Sequence, residues 1–459
     1  MNHTYSLPVD NPENQRYARG WLWLGLLALI GAGLLSILLV AGRTPGVGKL
    51  LPLADFFLVA LVVHVDLSVL VWFIAIGGML WSLGGTSGHR ALGYAALAVS
   101  ALGTLLMIVS PYIGRGGPVM ANYIPVLEDP TFHSGLILIG VGAALLVLRS
   151  LLTLPQVPQV LDGAAALRMG LALSLLPAVV ALVAFGWSYA TVPEDLTGKP
   201  YYEILFWGGG HALQFIWTTF MLVAWLWLAS ACGAQLPITP RVAVLIFALS
   251  TICVLAIPVA YLLWPIYTVE HRNLLTFAMG LGGGLPILPV ALAVVLGMRA
   301  TPPIADDARP LRAALYSSLA LFSFGGIIGL LIAGNNVKIP AHYHGCIVGV
   351  TLALMGLVYH LLPRIGYGQP ARKAATFSSY CYAVGQAMHI GGLMWSGGYG
   401  VQRKVAGADQ VLRSTEEIVA MGIMGAGGGI AIIGGLVFVV VVIGAIRRKS
   451  QDGWRRIGP

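Results

Sequence analysis

Among the histidines inside the long apolar runs of this 459-residue chain are His64, His133, His211, His342 and His344. Two of them, in Ala341-His342-Tyr343-His344-Gly345, stand at spacing i, i+2. Successive residues turn by about 100° around an α-helix, so these two rings leave it on nearly opposite sides. One helical turn then has room for two different metal cofactors, one per face. Imidazole suits haem iron, copper and non-haem iron. Ionisable side chains inside a membrane are rare and usually functional. One such histidine is more often a structural hydrogen-bonder than a ligand, so the reading depends on the group.

The elements that must position these rings are membrane helices. Hydrophobic residues are 58% of the chain and charged residues 9%, against about 25% charged in a soluble domain. Twelve runs are long enough to cross about 30 Å of hydrocarbon. Their limits are 20–41, 55–83, 91–113, 132–153, 166–190, 204–231, 241–266, 273–297, 312–333, 340–363, 374–396 and 418–446. The expected fold is therefore all-α, a single twelve-helix membrane domain over residues 1–459 without repeats or linkers. Residues 1–19 are polar and the first apolar run is of spanning length, so it reads as an anchored helix and not a cleaved signal. The 59 glycines suit close helix packing in lipid.

Orientation follows from Lys and Arg. Seventeen lie in the tails and even-to-odd loops, against nine in the other loops, which places both termini in the cytoplasm. The net charge of +9 is then mainly a topology signal. All five histidines fall in the outer part of the bilayer, with His389 on the eleventh helix also toward that side. His271 is expected in the outer loop after the seventh helix. Five imidazoles at one depth on four helices describe a low-dielectric layer holding one or more haems, with Gly and Ala leaving room for porphyrin. Cys232, Cys253, Cys346 and Cys381 lie singly and no Cys-x-x-Cys-His is present, so any haem is non-covalent. Nothing supports a zinc finger, a disulfide framework or nucleic-acid binding. Glu128-Asp129, Glu194-Asp195 and Glu416-Glu417 are acidic clusters of the outer side, read as solvated loop charge or as a face for a basic electron donor.

His342-Tyr343-His344-Gly345, with Leu354-Met355-Gly356-Leu357-Val358-Tyr359-His360-Leu361-Leu362-Pro363 after it, resembles the tenth helix of subunit I of the haem-copper oxidase superfamily. That superfamily holds the cytochrome c oxidases, quinol oxidases and nitric oxide reductases. The resemblance spans the chain: twelve helices, termini inside, histidines on helices two, six and ten. It implies that His64 and His344 are the axial ligands of a low-spin haem and that His342 is the axial ligand of a high-spin haem. His211, in Phe206-Trp207-Gly208-Gly209-Gly210-His211, is similar to the helix-six ligand of a copper or non-haem iron. Arg403 and Lys404, in Tyr399-Gly400-Val401-Gln402-Arg403-Lys404, resemble the basic pair on the haem propionates, where a cation is needed.

The chain departs from the pattern at the second metal. The family's adjacent histidines near the outer end of helix seven are missing. The region reads Ile257-Pro258-Val259-Ala260-Tyr261-Leu262-Leu263-Trp264-Pro265, and no His-His pair occurs anywhere. Glu270, His271 and His133 are the remaining candidate ligands. Phe215 stands where oxygen-reducing members generally carry a tyrosine, and Tyr261 is a possible substitute. Asp66 is the one carboxylate clearly inside a helix, expected to be paired or solvated at a cavity and a candidate for a proton path. Helix eight has no lysine or acid within the membrane.

The expected function is a di-haem respiratory oxidoreductase subunit of a bacterial-type cytoplasmic membrane, with its active site toward the outer, periplasmic side. Electrons from an outer-side carrier pass through the low-spin haem to a high-spin haem that reduces O2 or NO. The resemblance implies a second subunit carrying haem c or copper, or a soluble cytochrome c or cupredoxin donor. Two alternatives stay open. One is a scaffold-retaining di-haem electron-transfer or gas-sensing subunit without reductase activity. The other is a non-haem proton-coupled transporter with histidine relays.

Overall fold

A computed structural model describes residues 3–47, 54–114, 116–156, 159–301, 305–406 and 409–448. Lys49, Arg115, Lys449, Arg455 and Arg456, used above for orientation, lie outside the described residues. Eleven helices among the described residues are long and apolar enough to cross a membrane. They are α1 (Pro12–Arg43), α2 (Phe56–Gly84), α3 (Arg90–Ile113), α4 (Pro130–Leu152), α5 (Gly163–Thr191), α6 (Gly198–Ala231), α7 (Pro240–Leu263), α8 (Val269–Arg299), α9 (Asp306–Leu330), α10 (Lys338–Leu361) and α12 (Thr415–Arg447). Between the last two lies α11 (Arg372–Gly398), 27 residues long. It coincides with the eleventh predicted run but is less apolar, because Ser378, Ser379, Tyr382, Gln386 and His389 recur along it.

Several helices start before their apolar run because polar residues cap them. Asn11 Oδ1 accepts from the amides of Glu13 (2.9 Å) and Asn14 (3.2 Å), and Pro12 opens α1 well ahead of residue 20. Thr268 Oγ1 accepts from the His271 amide at 3.3 Å and starts α8 at Val269. His271 and Glu270 are therefore in the first turn of α8 and not in a loop, which corrects the expectation for that segment. Two residues of the acidic clusters are caps as well. Asp129 accepts from Thr131 and Phe132 amides at the start of α4. Glu417 Oε2 accepts from the Arg413 amide at 2.6 Å while Ser414 Oγ accepts from Glu417. Both carboxylates are buried, so they are not solvated loop charge.

Contacts divide the chain into two compact units, Met1–Ala28 with Val65–Pro303, and Leu29–His64 with Ile304–Pro459. In the first, α3 packs on α4, and α5 and α8 pack on α6. In the second, α9 packs on α10, α10 on α11, and α11 on α12. Enclosure separates α6 and α10 from the other spanning helices: 89% and 83% of their apolar stretches are buried, against 33–56% elsewhere. The exposed Leu, Ile and Val of the rest form the apolar exterior a bilayer requires, as at Ile137, Leu262 and Leu330. His211 is on α6, and His342 and His344 are on α10, so these rings sit on the two enclosed helices.

Within α2 the hydrogen-bond pattern widens to a π-turn over Asp66–Val71, starting two residues after His64. Such insertions often accompany functional sites. Asp66 is buried at 1% exposure, and neither carboxylate oxygen has a hydrogen-bond partner among the described residues. The expected pairing of Asp66 with another protein group is absent among the described residues.

Candidate haem sites and the helix-six histidine

His342 is oriented from α9. Its Nδ1 lies 2.8 Å from the Gly325 carbonyl oxygen. A carbonyl only accepts, so Nδ1 carries the hydrogen and the lone pair sits on Nε2, the arrangement a metal ligand needs. Glycines make this approach possible. A Cβ on Gly325 would lie 2.6 Å from the Cys346 amide nitrogen, and one on Gly329 would lie 2.7 Å from His342 Nδ1. No side chain fits at Gly325 without moving α9 off α10, and none fits at Gly329 without displacing the His342 ring.

His64 is held in the same way from α1: its Nδ1 is 2.8 Å from the Ala32 carbonyl oxygen. His344 leaves α10 on the other side from His342, as the i, i+2 spacing requires. Its ring stacks on Tyr343 at 5.3 Å and stands 5.0 Å from the ring of His389 on α11. His64, His389 and Arg43 all lie within electrostatic range of His344. The structure thus brings together the predicted pair, His64 and His344, and adds His389 and Arg43, which the residue pattern alone did not assign. Arg43 Nη2 donates to the Gln402 carbonyl and its Nε to Gln410 Oε1, both at 3.3 Å. Arg43 and Arg403 both bear electrostatically on Tyr343. Lys404 is in the left-handed backbone region, with φ 64°.

The helix-six histidine is in a different chemical state. His211 Nδ1 donates to the Trp207 carbonyl at 2.8 Å, and its Nε2 faces Tyr123 Oη at 3.1 Å. Tyr123 lies in the loop joining β1 (Pro118–Val119) to β2 (Val126–Leu127). Loss of water pushes the Tyr123 phenol above its ordinary range, partly offset by a hydrogen bond with the Gln214 side chain. The phenol therefore keeps its proton and donates it to Nε2. The Gly208-Gly209-Gly210 run explains how the ring comes so close. The Cβ positions of these three glycines run into the rings of Tyr261, Phe185 and Tyr123 in turn. Arg272 stacks on Trp207 with its Cζ 4.2 Å from the ring centroid. Tyr123, Trp207 and Arg272 were not singled out from the sequence; the glycine run ahead of His211 was the available signal.

Residues 16–431 match the family described as cytochrome c and quinol oxidase polypeptide I. The chain belongs to that family. It is a multi-pass membrane protein of the haem-copper oxidase superfamily, a respiratory-oxidase-like subunit. Among curated proteins it is 29% identical to an uncharacterized protein of Rickettsia prowazekii, over 94% of this chain and 96% of that one. It is 26% identical to an uncharacterized protein of Aquifex aeolicus, over 78% and 87% respectively. Its fold is similar to that of a chain in a cryo-EM structure of a haem-copper terminal oxidase dimer, with a TM-score of 0.71 and 16% identity, covering 95% of this chain and 84% of that one.

Members of this family generally bind haem, and the histidines of the second unit fit it. His64 and His342 each have Nδ1 bound to a backbone carbonyl, which leaves the lone pair on Nε2, the nitrogen with which either would hold an iron. The residues around His211 do not fit a further metal. Its Nε2 is engaged by Tyr123, and no group of three or more His, Cys, Asp or Glu is arranged to hold a metal ion among the described residues. His271 packs edge-on against the Tyr261 ring at 4.7 Å. Glu270 is exposed in the first turn of α8. His133 Nε2 is bonded to Tyr202 Oη at 3.1 Å. Tyr261 Oη contacts Ser188 Oγ at 2.6 Å and donates to the Ala184 carbonyl at 3.2 Å, which ties α7 to α5. Phe215 is fully buried in the apolar cluster around Tyr261.

Proposed function

We propose that this oxidase-family chain is the haem-bearing membrane subunit of a respiratory oxidoreductase with twelve spanning helices, α11 included, and both termini in the cytoplasm. His64 and His344 hold a low-spin haem, and His342 holds a high-spin haem. When bound, the haems supply one-electron transfer and a site for O2 or NO. The chain's own groups do the rest. The Ala32 and Gly325 carbonyls fix the ligand tautomers. Arg403 and Lys404, with Arg43, supply positive charge for propionates. Electrons enter from the outer side of a bacterial-type cytoplasmic membrane, delivered by a haem c or copper subunit or by a soluble cytochrome c or cupredoxin. The observation that carries this reading is the Nδ1-to-carbonyl bond at both His64 and His342.

A second reading, a di-haem electron-transfer or gas-sensing subunit without reductase turnover, is favoured by one observation: Tyr123 engages the nitrogen of His211 that a second metal would need. The purified protein distinguishes the readings. A reduced-minus-oxidised spectrum with haem bands, and carbon monoxide binding by only part of the haem, supports two unlike haems. Absence of haem from the purified chain overturns both readings. O2 or NO consumption with an electron donor supports the first reading, and haem without turnover supports the second.

A further inference from the structure

Three histidines of the second unit share one neighbourhood, yet only two of them are secured by a backbone carbonyl. His64 Nδ1 is bonded to Ala32 and His389 Nδ1 to Met424 of α12, at 2.8 and 3.0 Å. His344 has no hydrogen bond from either ring nitrogen among the described residues; its ring contacts are Tyr343 and His389. The α9 carbonyl that approaches α10 serves His342 on its other face. A metal-bound imidazole nearly always gives its second N–H to an acceptor, which fixes its tautomer and raises its basicity. His344 therefore needs an acceptor beside it.

His389 has the right chemistry. Met424 O can only accept, so His389 Nδ1 carries its hydrogen and His389 Nε2 has a lone pair. The ring centroids of His344 and His389 are 5.0 Å apart, with planes at 57°. An in-line N–H···N bond puts two imidazole centroids about 5 Å apart, whereas two rings sharing one metal through bonds of about 2.0 Å stand roughly 6 Å apart. The observed spacing leaves the two rings within reach of such a bond, which is not formed among the described residues, and is too short for rings on either side of one iron. The position of His389 is itself built. α11 and α12 meet at glycines: a Cβ on Gly427 would lie 2.7 Å from the Met388 side chain, and one on Gly428 would lie 3.3 Å from His389 Nδ1.

We propose that His389 is the positioning residue of the low-spin haem site, accepting the Nδ1 hydrogen of His344 and so setting the orientation and basicity of that ligand. This rests on the haem reading of His64 and His344. The pair acts as neutral rings, one donating and one accepting. The stronger donation from His344 stabilises the oxidised haem.

The test is the oxidised-state EPR spectrum and the midpoint potential of the low-spin haem in the full chain purified from membranes. H389L is expected to keep the haem but to shift the low-spin EPR signal and raise the midpoint potential. H389Q, whose amide oxygen also accepts, is expected to return both most of the way to wild type. If H389L does not assemble, H389N, too short to reach His344, takes its place beside H389Q. Wild-type EPR and potential in H389L or H389N overturn the proposal. So does loss of the low-spin signal in H389L with its retention in H344L, which makes His389 the axial ligand. A wild-type protein without haem would instead sink the function proposed above, so the two failures are distinguishable.

Discussion

His342 and His211 are both imidazoles on enclosed helices, and both donate Nδ1–H to a backbone carbonyl, of Gly325 and of Trp207. They differ at the other nitrogen. Among the described residues Nε2 of His211 meets the Tyr123 hydroxyl, whereas the only hydrogen-bonding contacts of His342 are at Nδ1. The neighbourhoods differ in the same sense. Glycines of α9 clear space against His342, while the glycines ahead of His211 are filled by three aromatic rings. A membrane histidine thus keeps or loses a nitrogen available to a metal according to what is packed against it. Residue type and depth do not decide it.

The comparison is broken or sharpened most strongly at the ligands. H64L and H344L are each expected to abolish the low-spin haem spectrum, and H342L to abolish carbon monoxide binding while the low-spin spectrum stays. An unchanged spectrum in all three would end the distinction. Metal analysis probes the other side: H211L is expected to leave the iron content per chain unchanged. A copper or additional iron that disappears in H211L would show that Tyr123 yields its place to a metal.

Smaller effects follow from the contacts around each ring. G329A places a methyl group against His342 and is expected to cost about 1–3 kcal/mol, as overpacking does, together with a fall in the carbon monoxide-binding fraction. Y123F leaves His211 Nε2 without its donor and is expected to cost about 1–3 kcal/mol in thermal or denaturant unfolding, with no change in haem absorbance. T268A removes the α8 cap beside His271 and is expected to cost about 1 kcal/mol, with the haem spectra and metal content untouched. A haem change in Y123F or T268A would overturn these expectations.

Much of this was legible in the sequence. The apolar runs located the helices to within a few residues, apart from ends moved outward by Asn11, Thr268 and similar caps, whose hydrogen bonds lie outside the apolar pattern. The i, i+2 spacing gave the opposed faces of His342 and His344. The missing His-His pair marked α7 as the place of departure. Tyr123 was not legible because it reaches His211 from a loop 88 residues away along the chain. Periodicity has no information about such a partner, although three consecutive glycines on one helix signalled close approach.

What the sequence determined by itself is the membrane class, the order of the helices and the set of imidazoles available to bind metal, because hydropathy and helical geometry act along the chain. The tertiary structure decided the state of each ring. Ala32, Gly325 and Met424 present carbonyls to His64, His342 and His389, Tyr123 presents a hydroxyl to His211, and His389 lies 5.0 Å from His344. These are contacts between helices or with a loop, set where small residues let backbones meet. The tautomer and ligand capacity of a histidine depend on the partner of each nitrogen, and except for the Trp207 carbonyl at His211 those partners come from other elements of the fold.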